Sequence, residues 1–354
     1  MSRSTTCKAA AALALVGLPL AGCSSSKPAA KTASSTGSGS TSASGSATGS
    51  APASSIDAPA KASKPYNLSF IQGVAGDEFY ITMNCGAQAE AKKLGVKVNV
   101  QGAQKFDPTL QKPIVDSVVA SKPDGMLIAP TDVTAMQGPL AQAAQAGIKL
   151  TLVDTTINDP SIAVSAIASN NEGGGTAAFT AMKKLDPKGG KVLVISTDPG
   201  VSTVDARIKG FTDAVKKDSA FNYVGVQYSH NDPATAAQLV SAALQKNPDI
   251  VGVFATNLFS AEGSATGIKQ SGKSGQVKLV TFDAGPNQVK ALKSGTVQAL
   301  IAQQPSLIGK YGVDATVAAL EGKSVPKTVQ TGFTVITKDN VDGAGAAAIY
   351  KSSC

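Results

Sequence analysis

From residue 68 onward, short apolar runs alternate with longer stretches of helical periodicity, and this alternation constrains the fold more than any other feature of the chain. The runs are mostly continuous, as is typical of strands buried on both faces of a parallel sheet. Strands are predicted at 68–74, 97–102, 125–129, 149–153, 191–196, 223–228, 250–255, 277–282 and 298–302. Helices are predicted over 78–94, 108–121, 134–146, 171–184, 203–217, 233–246, 258–271 and 305–321.

Strands that alternate with helices indicate βαβ units and an α/β fold. The units are too many for one comfortable sheet, so the pattern predicts two doubly wound parallel-sheet lobes. In open α/β sheets a ligand lies beyond the carboxyl ends of the strands. This rule selects the polar residues that follow the strands: Asp77, Asp132, Asp154, Asp198, His230, Asp232, Asn257, Asp283 and Gln303.

The first 65 residues have a different composition from the rest of the chain. Arg3 and Lys8 precede an apolar run at 9–20 that is too short to cross a hydrocarbon core of about 30 Å permanently. We therefore interpret residues 1–22 as a lipoprotein signal peptide, because Leu-Ala-Gly-Cys at its end resembles the bacterial lipobox. Cys23 is then the lipidated residue, and the Ser/Gly/Ala-rich segment 23–65 is predicted to be a disordered tether.

Net charge gives little support to a nucleic-acid-binding function. Residues 1–65 carry six of the 32 basic and one of the 24 acidic residues, which leaves 26 basic and 23 acidic residues and a net charge of +3 for the rest. After removal of the signal peptide and lipidation of Cys23, Cys85 and Cys354 remain. In an oxidising compartment they are either two separate thiols or a disulfide.

Most enzyme signatures are missing from the sequence. There is no phosphate-binding GxxxxGK[ST] loop, no GxGxxG after a strand, and no GxSxG, HExxH or CxxC motif. The run 173–175 of three glycines either approaches an anion or relaxes a helix start. We expect no cofactor and no metal. Asp154 and Asp283 would suit either a pair of glycosidase carboxylates or a binding cleft.

The remaining candidates are hydrogen-bonding side chains and aromatic rings. Carboxylates and amides bond adjacent hydroxyls, and an arginine adds a rigid donor fork. Phe79 and Tyr80 open the first helix and suit the apolar face of a sugar ring, or else pack the helix on the sheet. Arg207 is the only arginine outside the signal peptide and is either a ligand donor or a surface residue.

Six ordered motifs resemble the ribose-binding-type (type I) periplasmic solute-binding proteins of sugar ABC importers. They are Asp-Glu-Phe-Tyr (77–80), Leu-Val-Asp (152–154), Arg-Ile-Lys-Gly-Phe (207–211), Phe-Ala-Thr-Asn (254–257), Thr-Phe-Asp (281–283) and Ile-Ala-Gln (301–303). The resemblance implies that a sugar contacts Phe79, Tyr80, Asp154, Arg207, Asn257, Asp283 and Gln303. The resemblance also implies two lobes, one of residues 66–169 with 304–327 and the other of residues 170–303 with 328–354. The chain is expected to cross from one lobe to the other near 169–170, 303–304 and 327–328.

The chain departs from the ribose-binding pattern at several positions of the site. Ala129 and Thr155 replace an asparagine and an arginine, and Asn231 replaces an aromatic residue. Asp77 replaces an asparagine. With Asp77 and Asn231 kept as candidate ligand residues, the pattern favours another pentose, a hexose or a polyol over ribose.

The resemblance implies a receptor on the outer face of the cytoplasmic membrane, lipid-anchored and monomeric, that is not an enzyme. It closes its lobes on a sugar or polyol and delivers it to an ABC permease. Two other functions remain open: a sugar sensor that docks on a signalling partner, and an exported α/β glycosidase.

Overall fold

The computed structural model describes residues 48–49 and 56–354. The predicted signal peptide, Cys23 and the tether at 24–47 and 50–55 lie outside the described residues. The strands are β1 (Thr48–Gly49), β2 (Asn67–Gln72), β3 (Lys97–Gly102), β4 (Gly125–Ile128), β5 (Lys149–Val153), β6 (Ser165–Ser169), β7 (Gly190–Ser196), β8 (Phe221–Tyr228), β9 (Ile250–Ala255), β10 (Lys278–Phe282), β11 (Ala299–Ala302), β12 (Thr328–Thr331) and β13 (Phe333–Ile336). The helices are α1 (Glu78–Leu94), α2 (Pro108–Ala120), α3 (Gln137–Gln145), α4 (Asn171–Leu185), α5 (Ser202–Val215), α6 (Pro233–Lys246), α7 (Leu258–Gln270), α8 (Pro286–Ser294) and α9 (Pro305–Leu320).

The strands form two separate sheets, which define two lobes. Lobe 1 (residues 56–169 and 304–331) has a parallel sheet in the order β12-β6-β5-β4-β2-β3. Lobe 2 (residues 48–49, 170–303 and 333–349) has the order β1-β13-β11-β10-β9-β7-β8, parallel except at β1 and β13. Two doubly wound α/β lobes are the fold class that the strand–helix alternation predicts.

Alternate residues of the buried strands pack against different helices, so helices cover each sheet on both faces. In β4, Met126 and Ile128 pack with α2 and α3, whereas Leu127 packs with α1 and α9. In β7, Val194 packs with α4 and α5, and Leu193 packs with α6 and α7. This two-sided burial explains why the strand sequences are continuously apolar.

Between residues 56 and 349 the chain passes between the lobes three times, before the C-terminal segment returns to lobe 1. It crosses at Asn170 between β6 and α4, at 303–304 between β11 and α9, and at Gly332 between β12 and β13. The sequence analysis places the third crossing at 327–328. In the structure β12 pairs with β6 and still belongs to lobe 1, so the crossing follows β12.

Residues 56–65, which the sequence analysis assigns to the tether, lie against lobe 1. The Ala62 backbone N–H donates to the Leu94 carbonyl (2.9 Å), and the Ser63 N–H donates to Glu321 Oε1 (2.7 Å). Ile56 and Ala62 also pack against the core. These apolar side chains and hydrogen bonds explain why the lobe begins earlier than the composition suggests.

Several helices begin at an acidic or amide residue directly after a strand or loop. Asp77 caps α1, Asp107 caps α2 and Asn257 caps α7, each accepting a backbone N–H from the first turn. A capping residue after a strand places its side chain at the sheet edge where the lobes meet. No helix in the described part of the chain is long and apolar enough to cross a membrane.

A disulfide joins Cys85 of α1 to Cys354, with Cα atoms 5.3 Å apart. The other reading, two separate thiols, is therefore not what the structure shows. The bond connects residues 269 positions apart in sequence and anchors the C-terminal segment (residues 350–354) on lobe 1.

Candidate functional site

A closed cavity of about 40 Å³ lies between the lobes. All nine residues predicted to bind the ligand border it: Asp77, Phe79, Tyr80, Asp154, Arg207, Asn231, Asn257, Asp283 and Gln303. The remaining lining residues are Phe106, Thr197, Val201, Thr203 and Val204.

Some of the polar residues that follow the strands border the cavity, as named above, and others lie outside it. Asp132, Asp198, His230 and Asp232 do not border the cavity. Asp132 and Asp232 instead accept backbone N–H groups at the starts of local turns and helices, and Asp198 contacts His230. Because β7 ends at Ser196, the first residue beyond it is Thr197, whose buried Oγ1 has no hydrogen-bond partner in the part of the chain that the structure describes.

Asp154 presents a free, buried carboxylate oxygen to the cavity. The Tyr80 hydroxyl donates to Asp154 Oδ2 at 2.8 Å, whereas Asp154 Oδ1 has no hydrogen-bond partner among the described residues. Burial raises the pKa of Asp154 to about 6, although the charge of Arg207 and the bond from Tyr80 act in the opposite direction. This oxygen is therefore placed to accept a donor from a ligand.

Arg207 is fixed on α5 by contacts within lobe 2. Its Nε donates to Asn171 Oδ1 (2.9 Å) and its Nη1 donates to the Thr256 carbonyl (2.8 Å). The guanidinium carbon lies 3.9 Å from the centroid of the Phe282 ring. Nη2 donates no hydrogen bond within the described part of the chain, which leaves it available to a ligand.

Two glycines allow α4 and α5 to pack closely enough for the Arg207–Asn171 bond. A Cβ on Gly175 would lie 2.1 Å from the Arg207 carbonyl oxygen, and one on Gly210 would lie 2.0 Å from the Glu172 carbonyl oxygen. Any side chain at these positions would push the helices apart. The glycines therefore position the arginine although they do not border the cavity.

Asp283 and Gln303 form a fixed pair at the lobe 2 side of the hinge. Gln303 Nε2 donates to Asp283 Oδ1 at 2.7 Å, and Gln303 Oε1 accepts from the Ser169 hydroxyl at 2.7 Å. The Tyr350 hydroxyl also donates to Asp283 Oδ1, at 3.0 Å. Sequence reasoning missed Tyr350, because it lies in a segment without strand or helix periodicity.

Asp77 and Phe79 contribute from the start of α1. Asp77 Oδ1 accepts the Phe79 backbone N–H at 2.8 Å. Burial, followed by repulsion from Asp283, raises the pKa of Asp77 well above its usual range. Phe79 contacts Tyr80 edge to face, with ring centroids 5.2 Å apart, so the two rings form an aromatic corner of the cavity.

Asn231 and Asn257 form an amide pair on the lobe 2 wall. Asn257 Nδ2 donates to Asn231 Oδ1 at 2.6 Å, while Asn257 Oδ1 accepts the Ser260 N–H that caps α7. The pair occupies the wall where the ribose-binding pattern has an aromatic residue, and it replaces an apolar surface with amide groups.

Hydrogen bonds between the lobes close the mouth of the cleft. The Val133 N–H of lobe 1 donates to the Gly200 carbonyl at 3.2 Å, and the Thr156 N–H donates to Ser202 Oγ at 3.0 Å. The structure therefore has the closed arrangement of the lobes.

The chain matches the family model described as periplasmic binding protein domain over residues 68–324. The chain belongs to this family. The chain is similar to the ribose import binding protein of Bacillus subtilis (strain 168), with 30% identity over 266 residues, or 75% of this chain and 85% of that protein.

Two solved solute-binding proteins share the fold of this periplasmic binding protein. The first, from Agrobacterium vitis and bound to α-D-tagatopyranose, is 43% identical with a TM-score of 0.79, covering 81% of this chain and 99% of that one. The second, from Agrobacterium radiobacter and in complex with D-arabinose, is 29% identical with a TM-score of 0.77, covering 82% and 100%. The type I periplasmic binding protein fold expected from the sequence is thereby confirmed.

Proposed function

We propose that this protein is an extracytoplasmic receptor that captures a neutral monosaccharide or polyol between its lobes and delivers it to an ABC importer. The observation that carries the proposal is the polar cavity, in which Asp154 Oδ1 is buried and accepts no hydrogen bond from any described residue. A closed cleft stabilises a ligand that satisfies such a group, because water then no longer competes for it.

The donors and acceptors of the cavity suit a polyhydroxylated ligand. A hydroxyl group both donates and accepts, so it can bond a carboxylate such as Asp154 and the guanidinium of Arg207 at once. Phe79 and Tyr80 supply the apolar surface that the C–H groups of a sugar ring require.

The charge of the cavity favours a neutral ligand over an acidic one. Three carboxylates, Asp77, Asp154 and Asp283, border it with a single guanidinium, Arg207. A sugar acid or sugar phosphate would place a further negative charge in this buried space, which is costly without a pairing cation. We therefore expect neither class to bind.

Support for a sugar other than ribose comes from two of the four positions that depart from the ribose-binding pattern, Thr155 and Ala129. Thr155 bonds the Pro130 carbonyl (2.6 Å), and the Ala129 carbonyl accepts from Gln111 (2.8 Å). Neither residue borders the cavity. The two solved relatives described above are bound to tagatose and arabinose, so we favour a ketohexose or a pentose other than ribose.

The proposal includes a lipid anchor at Cys23, a location on the outer face of the cytoplasmic membrane, and a monomer as the working unit. The lipobox-like sequence before Cys23 supports the anchor. The signal peptide supports export.

A thermal-shift panel tests the proposal. Purified protein is melted with pentoses, aldo- and ketohexoses, polyols, hexuronic acids and sugar phosphates, and calorimetric titration measures each hit. A neutral sugar should raise the melting temperature at one site per chain, because a ligand that binds only the folded state stabilises it. Binding of only the acidic compounds, or turnover of a sugar, would refute the proposal.

A further inference from the structure

Tyr350 lies behind the ligand cavity and contacts its wall through one hydroxyl group. The side chain is buried and does not border the cavity. Its hydroxyl donates to Asp283 Oδ1 at 3.0 Å and accepts the Gln303 backbone N–H, also at 3.0 Å. One hydroxyl therefore connects two residues of the cavity wall.

This bond determines how Asp283 is oriented. Asp283 Oδ1 receives two donors, Tyr350 at 3.0 Å and Gln303 Nε2 at 2.7 Å. Asp283 Oδ2 accepts no hydrogen bond within the described part of the chain, and Asp283 borders the cavity. Two donors on one oxygen fix the carboxylate plane, which leaves the other oxygen for a ligand hydroxyl.

The segment that carries Tyr350 is held by both lobes. The Tyr350 N–H donates to the Ala284 carbonyl of lobe 2 (3.0 Å), and its ring centroid lies 5.9 Å from that of Phe79 in lobe 1. The Lys351 N–H donates to Thr82 Oγ1 of α1 (2.7 Å). The disulfide to Cys85 completes the attachment.

Tyr350 belongs to the buried core and also borders a groove of about 460 Å³ between α1, α9 and residues 344–350. In the described part of the chain, no strand or α-helix follows β13, so no regular backbone pairing fixes the segment that carries Tyr350. The covalent bond at Cys354, four residues further on, therefore limits how far this segment can move.

We propose that Tyr350 is a positioning residue for ligand binding, which orients Asp283 and Gln303, and that the Cys85–Cys354 disulfide keeps it there. The proposal rests on the proposed function, because its readout is the affinity for the sugar or polyol that the thermal-shift panel identifies.

The first experiment compares Tyr350→Phe with the wild type by calorimetric titration of that ligand. The variant keeps the ring contact with Phe79 and removes only the hydroxyl. Affinity should fall about 3- to 30-fold, which is less than the full effect of a lost hydrogen bond to a charged group, because Tyr350 acts on the ligand only through Asp283 and Gln303. Tyr66→Phe is the matched control, since its buried hydroxyl contacts the Leu320 carbonyl far from the cavity, and its affinity should equal that of the wild type.

A double-mutant cycle with Asp283→Gly separates positioning from general stability, because glycine keeps the left-handed backbone and removes the acceptor of the Tyr350 bond. If Tyr350 acts through Asp283, Tyr350→Phe should have little further effect on affinity in the Asp283→Gly background. The double variant Cys85→Ser/Cys354→Ser should lower affinity in the same direction as Tyr350→Phe. It should add little to the Tyr350→Phe effect, because the disulfide acts through Tyr350.

Each other outcome overturns the proposal in a recognisable way. Wild-type affinity in Tyr350→Phe, with or without a lower melting temperature, removes its positioning role. Additive effects in the cycle mean that Tyr350 does not act through Asp283. Full affinity in the cysteine double variant removes the role of the disulfide. If the wild type binds no member of the panel, the proposed function fails together with this inference.

Discussion

Asp154 and Asp283 occupy corresponding positions in the two lobes: each directly follows a central strand, is buried, and has left-handed backbone, with φ of 65° and 75°. Aspartate and asparagine tolerate this conformation better than most residues other than glycine. Because both residues have this left-handed conformation, each carboxylate extends from the edge of its own sheet into the cavity, and the two reach it from opposite lobes. Substitutions at these positions are therefore best made to asparagine, which keeps the backbone preference and removes the charge.

Asp154→Asn should stabilise the ligand-free protein at neutral pH. The pKa of Asp154 in the folded protein, about 6, is above the unfolded value of about 3.9, so the folded state binds this proton more tightly. Stability is therefore lost as pH rises from about 4 to 6, and above pH 6 the loss is about 3 kcal/mol. Asparagine does not ionise and avoids this loss.

Melting curves of the ligand-free protein between pH 4 and 8 test this expectation. The melting temperature of Asp154→Asn should exceed that of the wild type by several degrees at pH 7.5 and by little at pH 4. Asp342→Asn, an exposed position that pairs with Lys293, is the control and should follow the wild-type curve. An equal gap at all pH values would mean that Asp154 does not titrate in this range.

Arg207→Ala should weaken both ligand binding and folding. Loss of the Nη2 donor should reduce affinity for the ligand about 30- to 1000-fold. Asn171 Oδ1 and the Thr256 carbonyl also lose the donor that bonds each of them, and this loss should lower the melting temperature. Lys209→Ala on the same helix removes an exposed cation and should change neither quantity appreciably. Unchanged affinity in Arg207→Ala would exclude it from the ligand site.

Asp283→Asn should reduce affinity over a similar range but have a smaller effect on folding. Its amide oxygen can still accept the bonds from Gln303 and Tyr350, while the charge available to a ligand hydroxyl is lost. Titration and melting of the same preparation measure both effects. A large fall in melting temperature with intact affinity would instead indicate a purely structural role.

Ser202→Ala should weaken binding by making closure less favourable. The Ser202 hydroxyl accepts the Thr156 N–H across the mouth of the cleft, so the closed form loses one hydrogen bond that the open form does not have. Affinity should fall about 2- to 10-fold, mainly through faster ligand release. Stopped-flow release measures this, with Ser294→Ala, whose hydroxyl bonds within α8, as the control. An unchanged release rate would show that this contact does not contribute to closure.

Cys23→Ala should release the protein from membranes. The sequence offers one lipid attachment site before the body, and no described helix can span a bilayer. Fractionation of cells after a salt wash checks this, with Cys85→Ser/Cys354→Ser as a control that keeps the anchor. Retention of Cys23→Ala in the membrane fraction would contradict lipid anchoring.

The sequence pattern was sufficient to predict most of the fold, because buried parallel strands and capped helices leave strong local signals. It did not reveal β6, whose Ser-Ala-Ile-Ala-Ser sequence has small residues, or β12 and β13, which are four residues each and separated by a single glycine. The short polar helix α8 was also missed. These elements depend on neighbouring strands and helices more than on their own sequence.

The site was predictable where side chains directly follow strands or match a family motif, as for Asp283 and Gln303. The residues that hold those side chains were not predictable. Asn171 supports Arg207, and Tyr350 supports Asp283 from 67 positions away in the chain. Such contacts are set by how the lobes and the C-terminal segment pack, which no local spacing encodes.

The position of α9 in the chain has a consequence for the order of folding. This helix covers the centre of the lobe 1 sheet, yet it follows the strands of lobe 2 from β7 to β11. Lobe 1 therefore stays incomplete while those strands are synthesised, whereas they can begin to assemble with their own helices. During translation, the first sheet to be made is thus left without its central covering helix, which keeps one apolar face available to chaperones until α9 arrives.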